Sequence, residues 1–230
     1  MKLFNLMRTG LLLLVITSVT TENLQAQSDL NLFVEMGRPQ GAFNQNTKAV
    51  GLGFGAGLVF PIDKNKHIMI GGEFSYEIYG KEIKSDRANS YDLITNNNIF
   101  MTHAVIRITP FSEGILIPYI DLKGGLKNFY TKTKVKDDVL AGDATEVIGE
   151  FNDVAGSYGG AFGVRLQRSD AVSLFADASF LAGGRATYVD RKSFERDPDG
   201  VVSFDSKHSR TNMVLFRFGV TLHPGGGEKE

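Results

Sequence analysis

Few patterns in this chain could carry chemistry, and spacing disposes of most of them. Gly51-Leu52-Gly53-Phe54-Gly55-Ala56-Gly57 has the glycine density of a phosphate-cradling loop. A dinucleotide fingerprint needs a strand before its glycines and a helix after them. Here glycine takes every second position and Pro61 follows, so no nucleotide site is expected. The histidines are His67, His103, His208 and His223. None has a second His four residues away or an acid at ligand spacing, so no metal site is expected. His103 reads as a hydrogen-bonded interior side chain beside Arg107. His208 adjoins Ser209, but sequence neighbours do not make a charge relay, and no Gly-x-Ser-x-Gly is present. With no cysteine, thiol catalysis, disulfides and Cys-ligated metal centres are excluded together. Asp197-Pro198-Asp199-Gly200 lacks the further acids of a calcium loop and reads better as a hairpin turn between Tyr188-Val189 and Val201-Val202. The acids Asp137, Asp138, Asp143, Glu146, Glu150 and Asp153 read as a solvated loop, with cation bridging to lipopolysaccharide as the alternative. No catalytic residue, cofactor or enzyme activity is expected.

What remains is a set of charges at alternating positions: Glu35, Glu73, Glu77, Asp121 and Asp177 against Arg107, Lys123, Lys127, Arg165 and Arg217. Five acids facing five bases can pair in an interior, where unpaired charge would be prohibitive. The elements that position them show a period of two, the mark of strands with unlike faces. In the clearest, Val50, Leu52, Phe54, Ala56, Leu58 and Phe60 alternate with four glycines and Val59. Seven further segments alternate similarly, over 30–36, 68–78, 100–108, 118–130, 158–166, 172–180 and 214–222. No helix is expected beyond the first segment.

The connections alternate long and short. Segments 38–49, 81–98, 134–155 and 183–212 are long; 61–66, 110–114 and 167–170 are short. Four long loops opposite three short turns is the layout of an outer-membrane barrel. The expected fold is an all-β, eight-stranded antiparallel up-and-down transmembrane barrel. Period two alone also fits a soluble lipocalin-like carrier with its apolar face inward. The glycine face, the balanced charges and the strand-end aromatics favour the membrane reading. Tyr76, Phe100, Tyr130, Tyr158 and Phe180 lie toward the long loops, and Phe60 toward the short turns. Residues 1–26 read as a signal peptide, with Lys2 and Arg8 before a short apolar run and cleavage near Ala26. Residues 27–230 are then the barrel, its four extracellular loops and a short polar tail. Near-neutral net charge, −1, speaks against nucleic acid.

Several stretches resemble the small outer-membrane β-barrel domain family of Bacteroidota, the PorT-like barrels, akin to the eight-stranded OmpA- and OmpX-like barrels. They are Gln25-Ala26-Gln27, Pro118-Tyr119-Ile120-Asp121-Leu122-Lys123-Gly124-Gly125, Gly163-Val164-Arg165-Leu166 and Phe216-Arg217-Phe218-Gly219-Val220-Thr221-Leu222. The resemblance implies an outer-membrane location, lipid and lipopolysaccharide as surroundings, and insertion by the assembly machinery. The chain departs from such barrels by continuing past Leu222. Either recognition differs, or Phe218 takes the place of a terminal aromatic. The expected function is non-enzymatic: an envelope-structural barrel, or one binding a protein through its outer loops. A narrow pore for small solutes is the alternative. The partner-binding candidate is a ribbon formed by the last two strands, with Tyr188, Asp199, Gly200, Val202 and Phe204 on it; an open strand edge there would pair with a partner.

Overall fold

A computed structural model describes residues 28–86, 91–111, 114–137, 145–190, 193, 195–196 and 202–224. The proposed signal peptide, the C-terminal end of the tail and residues 138–144 of the acidic loop lie outside them. Eight strands close a barrel: β1 (Asp29–Pro39), β2 (Gly51–Pro61), β3 (Ile68–Asp86), β4 (Tyr91–Ile108), β5 (Leu116–Asp137), β6 (Thr145–Gln167), β7 (Val172–Gly183) and β12 (Met213–Leu222). Each strand pairs antiparallel with its neighbours. The seam is β1 against β12, from Leu30↔Leu222 to Pro39↔Met213. Closure leaves no free edge in the barrel wall. Four short strands lie between β7 and β12. They are β8 (Arg185–Val189), β9 (Glu195–Arg196), β10 (Val202–Ser203) and β11 (Ser206–Arg210), which pair β8 with β11 and β9 with β10.

Alternation decides which face is which. Along β1, Asn31, Phe33, Glu35 and Gly37 are buried while Leu32, Val34 and Met36 are exposed. The same division runs round the wall, so the apolar face lies outside. A soluble carrier of the lipocalin kind needs the opposite arrangement.

The structure departs from the sequence reading in three places. A short helix, α1 (Gly41–Thr47), occupies the first long loop, where none was expected. It ends at Lys48, whose left-handed conformation lets its amide bond to the Asn44 carbonyl at 2.8 Å. Second, two of the long loops are largely hairpin. The β3–β4 ladder runs to Asp86↔Tyr91 and the β5–β6 ladder to Lys136↔Thr145. A bulge between Ile78 and Gly80 lets β3 continue and turns both Tyr79 and Gly80 inward. Third, the base of the last ribbon is folded over the barrel mouth, with Ala186, Tyr188 and Val189 buried.

Candidate functional site

The chemistry of this molecule is concentrated inside the barrel. All ten sequence-identified charges occupy inward positions of the strands. Arg107 and Asp121 are opposite each other across β4 and β5, and form a fork: Nε donates to Oδ1 at 2.8 Å and Nη2 to Oδ2 at 3.0 Å. Arg217 makes a second fork to Asp177, opposite it on β7, at 2.8 Å through each nitrogen. Its third nitrogen reaches across the lumen to Glu73 Oε2 at 2.8 Å, and Lys123 Nζ donates to Glu73 Oε1 at 2.7 Å. Five charged groups from β3, β5, β7 and β12 thus meet in one layer, with Arg107 beside them. Planar guanidinium forks suit this duty because each satisfies a carboxylate with two parallel bonds.

Aromatic side chains fill the space between these charges. The Tyr119 hydroxyl donates to Asp177 at 3.0 Å, and the Arg107 guanidinium lies 4.1 Å from the Tyr119 ring centre. Arg217 stacks over Phe33 at 4.8 Å. The glycine face of β2 now has a cause. The Phe33 ring covers Gly55 and the Glu77 side chain lies over Gly51, so a Cβ at either place would overlap it. Tyr119 lies over Gly163 in the same way.

Toward the short turns, Asp29 pairs with Arg165 and with His223, whose other ring nitrogen meets Ser173 Oγ at 2.8 Å. Toward the long loops, Lys127 Nζ donates to the Thr211 carbonyl at 2.9 Å. Glu35 and Glu77 are buried there, and neither oxygen of Glu77 has a hydrogen-bond partner. Above them an aromatic cluster closes the mouth. Phe43 from α1 stands 5.6 Å from Tyr79, 5.7 Å from Phe129 and 4.9 Å from Tyr188, between ring centres. Asn46 holds the helix down through a 2.7 Å bond to the Tyr188 hydroxyl, and Asn97 bonds the Val189 carbonyl at 2.9 Å.

Sequence reasoning left Asp29, Tyr119, Phe33 and Phe43 out of the site. Asp29 stands at the first residue of a strand, where alternation carries least weight. The other three looked like ordinary strand or loop aromatics. The partner-binding candidates fare unevenly. Tyr188 is buried in the cap, because its ring completes the Phe43 cluster, and so is withdrawn from any partner. Phe204 is partly exposed and packs edge-on against Phe151 at 6.3 Å. Val202 lies in β10, while Asp199 and Gly200 lie outside the described residues. His208 and Ser209 point to opposite sides of β11. His208 meets Thr187 outside, and Ser209 meets the Tyr188 hydroxyl inside at 2.8 Å. His103 Nε2 bonds Ser157 Oγ at 3.0 Å. Among the described residues no group of three or more potential ligands could hold a metal ion.

The outer wall is the other functional surface. Leu52, Phe54, Phe74, Leu126, Phe162 and Phe218 are each more than half exposed and form part of a continuous apolar belt. Its edge toward the long loops carries Tyr76, whose hydroxyl bonds Asn98 at 2.8 Å. Among the described residues no helix is long and apolar enough to cross a membrane.

No family model matches the chain, and no curated protein matches it. Solved structures of similar shape include Neisserial surface protein A, at 10% identity and TM-score 0.47 over 85% of this chain and 96% of that one. A major outer membrane protein from Thermus thermophilus is 12% identical, TM-score 0.46, over 85% and 99%. The outer membrane protease OmpT from Escherichia coli is 6% identical, TM-score 0.41, over 89% and 99%. Likeness this distant assigns no function.

Proposed function

We propose that this protein is a closed, non-conducting and non-enzymatic outer-membrane barrel, whose wall anchors the extended hairpins above it for contact with the envelope surface or a partner. One observation carries the reading: the barrel is apolar outside, and inside, paired charges and aromatic rings occupy the section around Arg217. Exposed side chains such as Phe54, Phe162 and Phe218 would be a large liability in water. In a bilayer they face hydrocarbon, and a closed barrel is the strand architecture that a bilayer tolerates. Eight strands leave a lumen just wide enough for side chains. Here Arg217, 2% exposed, lies across it between Asp177 and Glu73. A space that holds about one water molecule borders Asn31, Glu73, Arg107 and Arg217, far short of a water column.

The test is fractionation followed by reconstitution. An outer-membrane band that migrates differently before and after boiling is expected, with no stable conductance steps from the purified protein in planar bilayers. A soluble periplasmic protein would overturn the membrane reading. Stable steps that vanish on neutralising Arg107 or Glu73 would establish the pore instead.

A further inference from the structure

The outward face of the wall changes character immediately above the belt. Among the described side chains on strands, those that face outward there and carry charge are all basic: Arg38 on β1, Lys81 on β3, Lys132 and Lys134 on β5, Arg185 on β8 and Arg210 on β11. Two of them stand in an arrangement that strands avoid. Arg185 and Arg210 are directly opposite in the β8–β11 register, both exposed. Cross-strand neighbours on one face have Cβ atoms roughly 5 Å apart, and like charges there repel. No described carboxylate forms an ion pair with either arginine; Asp153 on β6 lies against Thr187, two residues along from Arg185. Its oxygens accept the backbone amides of Val154 and Thr187. On the same face the next cross-strand pair is Thr187 with His208, which adds no negative charge.

We infer that Arg185 and Arg210, with Arg38 below them, form a binding site for a phosphate group of an outer-leaflet glycolipid. The inference rests on the membrane reading above, and three features of position support it. Arg38 pairs with Val214 at the upper edge of the belt, and Arg210 follows Val214 and Asn212 on the outward side of the chain. The head-group layer extends several ångströms beyond the hydrocarbon. Side chains rooted just above that edge lie level with lipid phosphates, and arginine extends an apolar stem along a wall while its head seeks charge. The site is on the side of the long loops, opposite the short turns and the Leu30↔Leu222 end of the β1–β12 seam. That side faces outward in the proposed orientation, so the phosphates available to it belong to the outer leaflet. A phosphate accepted by two guanidinium forks would neutralise the repulsion and leave each arginine with bidentate bonds.

The experiment uses the full chain refolded in detergent, with gel mobility before boiling as the check of folding. Native mass spectrometry would follow retention of phosphorylated lipid A, of the same lipid A after dephosphorylation, and of phosphatidylglycerol. The wild-type barrel is expected to retain phosphorylated lipid A, and to retain the dephosphorylated form roughly tenfold less. Arg185→Gln with Arg210→Gln should give a similar loss, and Arg185→Lys with Arg210→Lys should restore much of it. Equal retention of the two forms of lipid A would overturn the inference, whether or not the glutamine variant folds. Phosphatidylglycerol held as well as lipid A would overturn the glycolipid assignment. Displacement by millimolar inorganic phosphate would reduce the site to one for free anions. Wild-type protein that never enters phospholipid vesicles would sink the membrane reading itself. Protein that inserts but ignores the lipid's phosphates would sink this inference alone.

Discussion

The Arg107–Asp121 fork is the simplest unit of the interior, and it shows what a buried ion pair does. Taking both charges out of water costs several kcal/mol, which two good hydrogen bonds roughly offset. Removing one partner leaves the other buried and uncompensated. Asp121→Asn is therefore expected to cost about 3–5 kcal/mol, read as a lower urea midpoint for unfolding from lipid vesicles. Arg107→Met combined with Asp121→Leu removes the desolvation cost with the pair, and should cost clearly less than the single change. If the double variant is the less stable of the two, the fork stabilises outright and this account is wrong. The face on which these residues sit was legible, because strand alternation assigns faces without any knowledge of contacts. The partners were not. Arg217 meets Asp177 on the adjacent strand but also Glu73, 144 positions away in sequence and across the lumen. Only the curvature and closure of the wall bring those two together. Phe33 and Tyr119 were hidden for a nearer reason: each covers the glycine directly opposite it on the neighbouring strand, Gly55 and Gly163, and that register is not written in either segment alone.

At the level of elements, the turn between β2 and β3 shows local sequence controlling local structure. Asp63 accepts the amide of Ile68 at 2.7 Å and that of His67 at 3.0 Å, and its carbonyl takes the Lys66 amide at 3.1 Å. Those amide bonds, Ile68's foremost, hold the Asp63 carboxyl below its ordinary value. A depressed carboxylate stabilises the fold above its unfolded value, and the contribution is lost as pH falls through the folded one. The Ile68 amide proton should therefore titrate, in NMR of the refolded protein, with a midpoint below about 3.9. A midpoint at or above that value would contradict the turn geometry. Asp63→Asn should abolish the titration. Turns of this kind are readable in a sequence; other elements here are not. α1 is seven residues of Gly-Ala-Phe-Asn-Gln-Asn-Thr, with no side-chain cap, and Gly, Asn and Thr favour other conformations. It forms because Phe43 finds an aromatic socket, a tertiary cause that no window of sequence contains. The upper halves of β3 to β6 escaped notice for a related reason. Where both faces of a strand are polar, as in Asn96-Asn97-Asn98, alternation in hydropathy disappears although the ladder continues.

Considered whole, the proposed non-conducting barrel has two filled layers in series, and this has a consequence for how its conductance must respond to change. The upper barrier is the cap, Phe43 against Tyr79, Phe129 and Tyr188. The lower one is the ion-pair layer of Arg217, Asp177, Glu73 and Lys123. Both use side chains of β3 and β5, but the cap adds α1 and β8 while the layer adds β7 and β12, and no residue belongs to both. An ion crossing the lumen must pass both, so the larger resistance sets the current. Replacing residues 41–47 by a glycine–serine linker removes Phe43 and is expected to leave planar bilayers silent, because the charged layer still fills the section below. Opening the charged layer alone, with Arg217→Ala and Asp177→Ala together, should also leave them silent, because the cap is intact. That pair is chosen so that no single uncompensated charge is created, and gel mobility before boiling confirms that the barrel has formed. Only the combination of both changes should give measurable steps. Steps from the linker variant alone would mean that the ion pairs do not seal the section, and that the native cap is a gate over a pore. Steps from the alanine pair alone would mean that the cap is permeable, and that the charges are the seal. Silence from the combined variant in a folded barrel would place the barrier elsewhere, at the Asp29, Arg165 and His223 cluster near the short turns.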